Sequence, residues 1–191
     1  MASNPDPVFA AIEFAARAHA GQYRKQTRLP YIIHPLAVAR ILIEAEQDGE
    51  VVVAGVLHDT LEDTEVGLEA IEREFGPRVA GLVSEVSEPD KGADWESRKQ
   101  RTVDSIGRIS LDAVLVECAD KLDNIRAIEA DFERLGDEVW ERFNRPEAKQ
   151  RWYYRALVRA FGARLDGGPG RRIFERLARA VERVFGPERA A

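Results

Sequence analysis

The chain has 191 residues, of which 45% are apolar, 32% charged and 8% aromatic, and its formal net charge is −6. This composition is typical of a soluble globular protein rather than a disordered one, and the length suits a single domain with a substantial core. No apolar run approaches the roughly 18 residues that a transmembrane helix needs, so we expect no membrane contact.

The charge is unevenly distributed along the chain. Residues 1–144 carry 16 basic and 29 acidic side chains, whereas residues 145–191 carry 12 basic and 5 acidic ones. The acidic body argues against binding of nucleic acid by the whole domain. We interpret the basic C-terminal part as a solvated helix face opposite an apolar stripe, with attraction of phosphates as the alternative.

The cysteine content and the N-terminal residues bear on the compartment. Cys118 is the single cysteine, which excludes an intramolecular disulfide and is consistent with a reducing environment. The first residues contain no cationic segment followed by an apolar one, so we expect no secretory signal. A cytoplasmic location is the resulting prediction.

Nearly every segment has the apolar spacing of an amphipathic helix. In chain order, the predicted helices cover residues 8–19, a segment starting at Pro35, 51–63, 68–75, 79–86, a segment starting near Trp95, 111–127, 154–165 and 174–185. The β-branched run at 51–53 continues into apolar residues up to Leu57, so a helix buried on all sides explains it better than a strand. The predicted fold class is all-α, with about eight to ten helices.

One flexible joint stands out, at Gly167-Gly168-Pro169-Gly170. We interpret residues 1–166 as one domain and residues 171–191 as a C-terminal helix that packs on the same domain.

Four side chains that are far apart in the sequence form a candidate metal-binding set. His34, His58, Asp59 and Asp120 offer two imidazoles and two carboxylates, which suit Mn, Fe, Zn or Co. Such a metal makes water a nucleophile at neutral pH, so phosphate-ester hydrolysis is the leading hypothesis. The alternative for each histidine alone is a packed or capping residue, as for His34 before Pro35.

The acidic run 58–63 strengthens the hypothesis of a metal site. Residues four apart share a helix face, so the run 58–63 is predicted to align His58 with Glu62 and Asp59 with Asp63 at the end of a buried helix. Carboxylates rarely adjoin such an apolar run unless a cation or a hydrogen-bond network offsets their desolvation.

Asp120 and the third histidine also need an interpretation. Asp120 shares an otherwise apolar stripe with Asn124, so both are predicted to point inward, with a buried structural network as the alternative. His19 lies at a predicted helix end, away from the carboxylates, and is interpreted as structural.

Five motifs carry a resemblance to a known family. They are His19-Ala20-Gly21-Gln22-Tyr23-Arg24-Lys25, Pro30-Tyr31-Ile32-Ile33-His34-Pro35, His58-Asp59-Thr60-Leu61-Glu62-Asp63-Thr64, Phe75-Gly76 and Ala119-Asp120-Lys121-Leu122-Asp123-Asn124. The chain resembles the HD-domain metal-dependent phosphohydrolases over residues 8–128. Within that superfamily it is most similar to the alarmone hydrolases of the stringent response, which remove the 3′-pyrophosphate of (p)ppGpp.

The resemblance implies a compact helical bundle and a role for each matching residue. The implied metal ligands are His34, His58, Asp59 and Asp120, with Mn²⁺ the usual ion and Fe, Co or Zn as alternatives. The implied acidic pair, which orients water and handles protons, is Glu62 and Asp63. The implied substrate contacts are Arg24, Lys25, Asn124 and Tyr153, with Tyr154 left open as the alternative to Tyr153.

The sequence leaves the substrate and the assembly open. The turn Gln26-Thr27-Arg28-Leu29 departs from the short glycine-containing turn of the family and puts guanine preference in doubt. Alternatives are another nucleotide, such as ppApp or NADPH, or a sensor that binds a nucleotide without turnover, against which the intact acidic pair argues. We expect a small-molecule nucleotide as the partner and a monomer or homodimer as the assembly.

Overall fold

The computed structural model describes residues 6–25, 27–88 and 92–187. Within these ranges the chain forms ten α-helices and one 3₁₀ helix, and its extended pairing is limited to one antiparallel bridge between Tyr23 and Pro30. The helices are α1 (Pro7–Ala18), α2 (Ile33–Glu44), α3 (Gly49–Leu57), α4 (Thr60–Asp63), α5 (Leu68–Phe75), α6 (Pro77–Val86), α7 (Trp95–Ser105), α8 (Leu111–Leu135), the 3₁₀ helix (Gly136–Arg142), α9 (Glu147–Gly162) and α10 (Gly168–Phe185). The all-α prediction is confirmed.

The chain divides into two compact units. The first comprises Met1–Pro89 and Ile109–Asp120, and the second comprises Asp90–Arg108 and Lys121–Ala191. Helix α8 begins in the first unit and ends in the second. The assignment of residues 1–166 and 171–191 to one domain stays a prediction.

Helix α3 forms the core of the first unit. Its N-terminus is capped by Asp48, whose carboxylate accepts hydrogen bonds from the main-chain N–H groups of Glu50 and Val51 at 3.0 and 3.1 Å. Every residue from Val51 to Leu57 is buried, and helices α1, α2 and α6 pack around them. The helix therefore has the all-round burial that its apolar run predicts.

Gly55 allows helices α2 and α3 to approach each other closely. A Cβ atom at this position would lie 2.4 Å from Cδ1 of Leu42, so any larger residue would push Leu42 aside. His34 lies two helical turns before Leu42, and His58 follows Gly55 by one turn. The close packing therefore brings the two imidazoles together, with ring centroids 5.1 Å apart.

The predicted single helix over residues 51–63 is wrong in one respect. Helix α3 ends at Leu57, and the short helix α4 begins at Thr60. The carbonyl groups of a last helical turn lack partners within the helix. One of them, that of Gly55, lies 2.9 Å from Nδ1 of His58, so the side chain satisfies the main chain where the helix breaks.

In the second unit, helix α9 packs against α7 and α10. The apolar face of α10 is buried, whereas Arg171 and Arg183 on its other face are exposed and bond to Glu175 and Glu129. The predicted joint at 167–170 is corrected in part, because Gly168–Gly170 form the first turn of α10. Proline is well tolerated there, since the first N–H groups of a helix have no partner within it.

None of the helices in the described ranges is both long enough and apolar enough to cross a membrane.

Arg78 joins three helices of the first unit and permits a test of stability. Its guanidinium lies 2.8 Å from Asp48, 2.6 Å from Glu50 and 2.9 Å from Asp112. We expect Arg78→Met to lower the free energy of unfolding by about 1 kcal/mol, the upper end for exposed ion pairs. Urea unfolding at low and high salt measures the effect, which should shrink in high salt.

The matched control is Arg40→Met, because Arg40 contacts Glu44 at 3.4 Å within the same helix and both side chains are exposed. An equal loss of stability in the two variants would contradict a special role for the Arg78 network.

Candidate metal centre

Three of the predicted metal ligands converge in the first unit. Nε2 of His34 lies 3.1 Å from Oδ1 of Asp120, and Nε2 of His58 lies 3.9 Å from the same oxygen. One ligand atom from each residue lies within 4.8 Å of those of the other two. The residues are 2%, 5% and 7% exposed, so the cluster is enclosed by the fold.

Asp59, the fourth predicted ligand, borders this cluster. Its Oδ2 lies 3.0 Å from Nε2 of His58 and 3.5 Å from Nε2 of His34. The same oxygen accepts a hydrogen bond from the hydroxyl group of Tyr31 at 2.5 Å. The structure thus brings together two imidazoles and two carboxylates from positions 34, 58, 59 and 120.

The hydrogen bonding of His58 tests whether the cluster suits a cation. The main-chain carbonyl of Gly55 can only accept, so Nδ1 of His58 donates the hydrogen bond between them. In the neutral ring, Nε2 therefore carries the lone pair, and this buried nitrogen lies 3.0 Å from Oδ2 of Asp59 without the geometry of a hydrogen bond. This tautomer, fixed through the other ring nitrogen, is the arrangement that metal-ligating histidines use.

The electrostatics of the cluster also favour positive charge. Burial by itself lowers the pKa of His58, but the Asp59 and Asp120 carboxylates outweigh burial and raise the pKa to about 9. Burial raises the pKa of Asp59, yet the facing imidazoles hold it well below its ordinary range. A centre that stabilises a proton between buried carboxylates also stabilises a divalent cation.

The predicted acidic pair lies on helix α4, directly after Asp59. Glu62 is half-buried, and its Oε2 accepts a hydrogen bond from the main-chain N–H of Glu88 at 3.2 Å. Asp63 is exposed, and its main-chain carbonyl accepts a hydrogen bond from Gln22 at 2.8 Å. The two acids therefore stand at the surface beside the buried cluster, where solvent can reach them.

His19, which is interpreted from the sequence as structural, is linked to the carboxylates through Tyr31. Its ring lies 4.9 Å, centroid to centroid, from that of Tyr31, which in turn bonds to Asp59. Nδ1 of His19 lies 2.8 Å from Oε1 of Gln22. Sequence reasoning also missed Tyr31 and Gln22, because no local spacing relates them to partners 28 and 41 residues away.

The predicted phosphate contacts of the first unit lie on one turn. Arg24 is half-buried and Lys25 is exposed, and a hydrogen bond of 2.9 Å from the N–H of Arg24 to the carbonyl of Leu29 closes the turn. Gln26, which belongs to the departure from the family turn, lies outside the described residues.

The predicted substrate contacts of the second unit have different neighbours. Tyr153 is buried beside Trp95, and Nζ of Lys99 lies 5.2 Å from the centroid of its ring. Tyr154 is equally buried, but its ring packs against Phe185 of α10. Asn124 is half-buried on α8, four residues after Asp120. Their contacts with a substrate stay predictions.

Comparisons with known proteins agree with this centre. The family described as "HD domain" matches residues 11–146, which include all four residues of the cluster. Human guanosine-3′,5′-bis(diphosphate) 3′-pyrophosphohydrolase MESH1 is 41% identical over 143 residues, which cover 73% of this chain and 77% of the human protein.

Two solved structures are also similar. A metazoan ortholog of SpoT, described as hydrolysing ppGpp, superposes with a TM-score of 0.77 at 27% identity, over 98% of this chain and 100% of that one. A protein of Listeria monocytogenes EGD-e superposes with a TM-score of 0.72 at 37% identity, over 83% and 97% of the two chains.

Proposed function

The chain belongs to the family of HD domains, and on this premise we propose that it hydrolyses guanosine 3′,5′-bis(diphosphate) at its 3′-pyrophosphate, releasing pyrophosphate. The observation that carries the proposal is the cluster of two imidazoles and two carboxylates within the matched residues, of which His34, His58 and Asp120 are buried. The human relative, which matches over three-quarters of its own length, bears the name of this activity.

A divalent cation is the cofactor that this cluster suits. His34, His58, Asp59 and Asp120 are the proposed ligands, and Mn²⁺ is the proposed ion, because mixed imidazole and carboxylate sets suit such borderline metals. When bound, the cation supplies Lewis-acid catalysis and lowers the pKa of water to about 7.

The protein residues supply the rest of the chemistry. The half-buried Glu62 and the exposed Asp63 are the proposed groups that orient the attacking water and accept its proton, or protonate the leaving oxygen. Arg24 and Lys25 neutralise phosphate charge that the acidic body of the chain would otherwise repel. Asn124 and Tyr153 are the further proposed substrate contacts.

Arg24→Ala is expected to weaken substrate binding more than turnover. A hydrogen bond to a charged group is worth about 1.5–3 kcal/mol, so KM should rise roughly tenfold to a hundredfold with a smaller change in kcat. Steady-state kinetics with ppGpp measure both constants, and Arg40→Ala, at an exposed position on α2, is the control. An unchanged KM would place the phosphates elsewhere.

A turnover screen with the purified protein tests the proposed function. The substrates are ppGpp, ppApp and NADPH, each with Mn²⁺, and the readout separates pyrophosphate release from orthophosphate release. Pyrophosphate release from ppGpp with the highest kcat/KM supports the proposal. Preference for ppApp would support the proposed reaction but contradict the proposed guanine base. Orthophosphate release from NADPH alone would contradict the proposed substrate.

The same screen excludes or supports a sensor without turnover. Binding of ppGpp with no product from any of the three nucleotides would favour that reading. A cytoplasmic location and a monomeric or homodimeric assembly stay predictions from the sequence.

A further inference from the structure

The turn that carries Arg24 and Lys25 is hydrogen-bonded at its base to the run 59–63. We propose that Gln22 and Tyr31 are positioning residues, which hold this turn, the metal ligand Asp59 and the acidic pair in one fixed arrangement. The inference deepens the proposed function and rests on it.

The turn is a small hairpin, which the structure describes at residues 22–25 and 27–31. The N–H of Tyr31 donates to the carbonyl of Gln22 at 3.0 Å, and Tyr23 pairs with Pro30 in the antiparallel bridge. Gln22 and Tyr31 therefore face each other at the base of the hairpin. Arg24 and Lys25 lie beyond them towards its tip.

Tyr31 bonds the base of the hairpin to a metal ligand. Its hydroxyl group donates to Oδ2 of Asp59 at 2.5 Å, and this is the oxygen that contacts both imidazoles of the cluster. A donor on one carboxylate oxygen restricts the rotation of the whole carboxylate. Outer partners of this kind orient ligands before a metal binds.

Gln22 bonds the same base to the acidic pair, and its orientation is determined by its partners. The main-chain carbonyl of Asp63 only accepts, so Nε2 of Gln22 donates to it at 2.8 Å. Oε1 of Gln22 then faces the buried ring of His19 and accepts a hydrogen bond from Nδ1 at 2.8 Å. The order of donation is therefore His19 to Gln22 to Asp63.

The two bonds reinforce each other. The rings of His19 and Tyr31 pack together with centroids 4.9 Å apart and planes inclined at 36°. The hairpin is thus tied to both ends of the 59–63 run, at the side chain of Asp59 and the main chain of Asp63. These two hydrogen bonds fix the position of Arg24 and Lys25 relative to the metal ligands. The position matters because a misplacement of about 1 Å can reduce a rate by roughly a hundredfold.

The experiment compares two variants with two matched controls. Tyr31→Phe removes the hydroxyl group and keeps the ring, and its control Tyr23→Phe makes the same change on the same hairpin at a side chain that is 60% exposed. Gln22→Met removes the amide, and its control Gln47→Met removes an amide that donates to the carbonyl of Ala45 at 2.7 Å on helix α2's C-terminal side. Mn²⁺ affinity by calorimetry, kcat and KM for ppGpp, and urea unfolding are measured for all four.

We expect Tyr31→Phe to weaken Mn²⁺ binding about 10- to 100-fold, the usual scale for an outer partner of a ligand. We expect Gln22→Met to lower kcat at saturating Mn²⁺ by about tenfold or more, with Mn²⁺ affinity within about twofold of the parent. Both controls should match the parent in affinity and kcat. A folded Tyr31→Phe with parental Mn²⁺ affinity, or a folded Gln22→Met with parental kcat, would overturn the proposal.

Two measurements separate this proposal from the proposed function. If the parent protein hydrolyses no nucleotide, the proposed function fails, whereas the Mn²⁺ affinity of Tyr31→Phe still tests the positioning of Asp59. In that case, the NMR signal of the His19 Nδ1 proton tests the hydrogen bond between His19 and Gln22. Its persistence, protected from exchange, in Gln22→Met would overturn the His19–Gln22 bond, and its loss would support it.

Discussion

Asp120→Asn is expected to abolish both divalent-cation binding and nucleotide hydrolysis. The carboxylate of Asp120 lies within 3.1 and 3.9 Å of the two imidazoles, and a neutral amide in its place both loses the charge and offers a poorer ligand. Metal catalysis is worth several kcal/mol, so kcat should fall by at least about a thousandfold. Calorimetry with Mn²⁺ and turnover of ppGpp measure the two effects.

The control for this substitution lies on the same helix. Asp123→Asn makes the same change three residues later on α8, at a half-buried position outside the cluster, and should retain both properties. Parental Mn²⁺ affinity in Asp120→Asn would refute the ligand assignment. Asp59→Asn then tests the fourth ligand, because strong binding there would leave a centre built from His34, His58 and Asp120 alone.

Glu62→Gln is expected to separate metal binding from catalysis. The amide keeps an oxygen that can accept the hydrogen bond from the N–H of Glu88, so the local structure should persist. What it loses is the ability to take a proton. A general base contributes about 10²- to 10⁴-fold, so kcat should fall by at least about a hundredfold while Mn²⁺ affinity stays near the parental value.

Glu65→Gln, at an exposed position just beyond α4, is the matched control and should keep the parental kcat. Survival of both rate and metal affinity in Glu62→Gln would transfer the proton-handling role to Asp63. Loss of Mn²⁺ affinity would instead make Glu62 part of the metal centre.

The residue types of the cluster can be identified from the amino-acid sequence. The sequence predicts a divalent metal from two histidines and two aspartates, one pair of which adjoins a buried apolar run. Carboxylates beside such a run need a cation or a hydrogen-bond network to offset their desolvation. The amphipathic spacing likewise predicts the helices. It could not predict the break at 58–59. Periodicity shows which helix face is apolar, but it does not show that the side chain of His58 hydrogen-bonds to the main-chain carbonyl of Gly55.

The sequence alone determined the helical periodicity of the chain. It also determined the presence of two imidazoles and two carboxylates, at positions 34, 58, 59 and 120. Tertiary structure alone decided that Tyr31 holds Asp59 and that Gln22 links His19 to Asp63. The reason is that these bonds join a hairpin to a helical run that lies far from it in the sequence. Local patterns extend over one or two turns of helix, whereas these partners meet across 28 and 41 residues of chain.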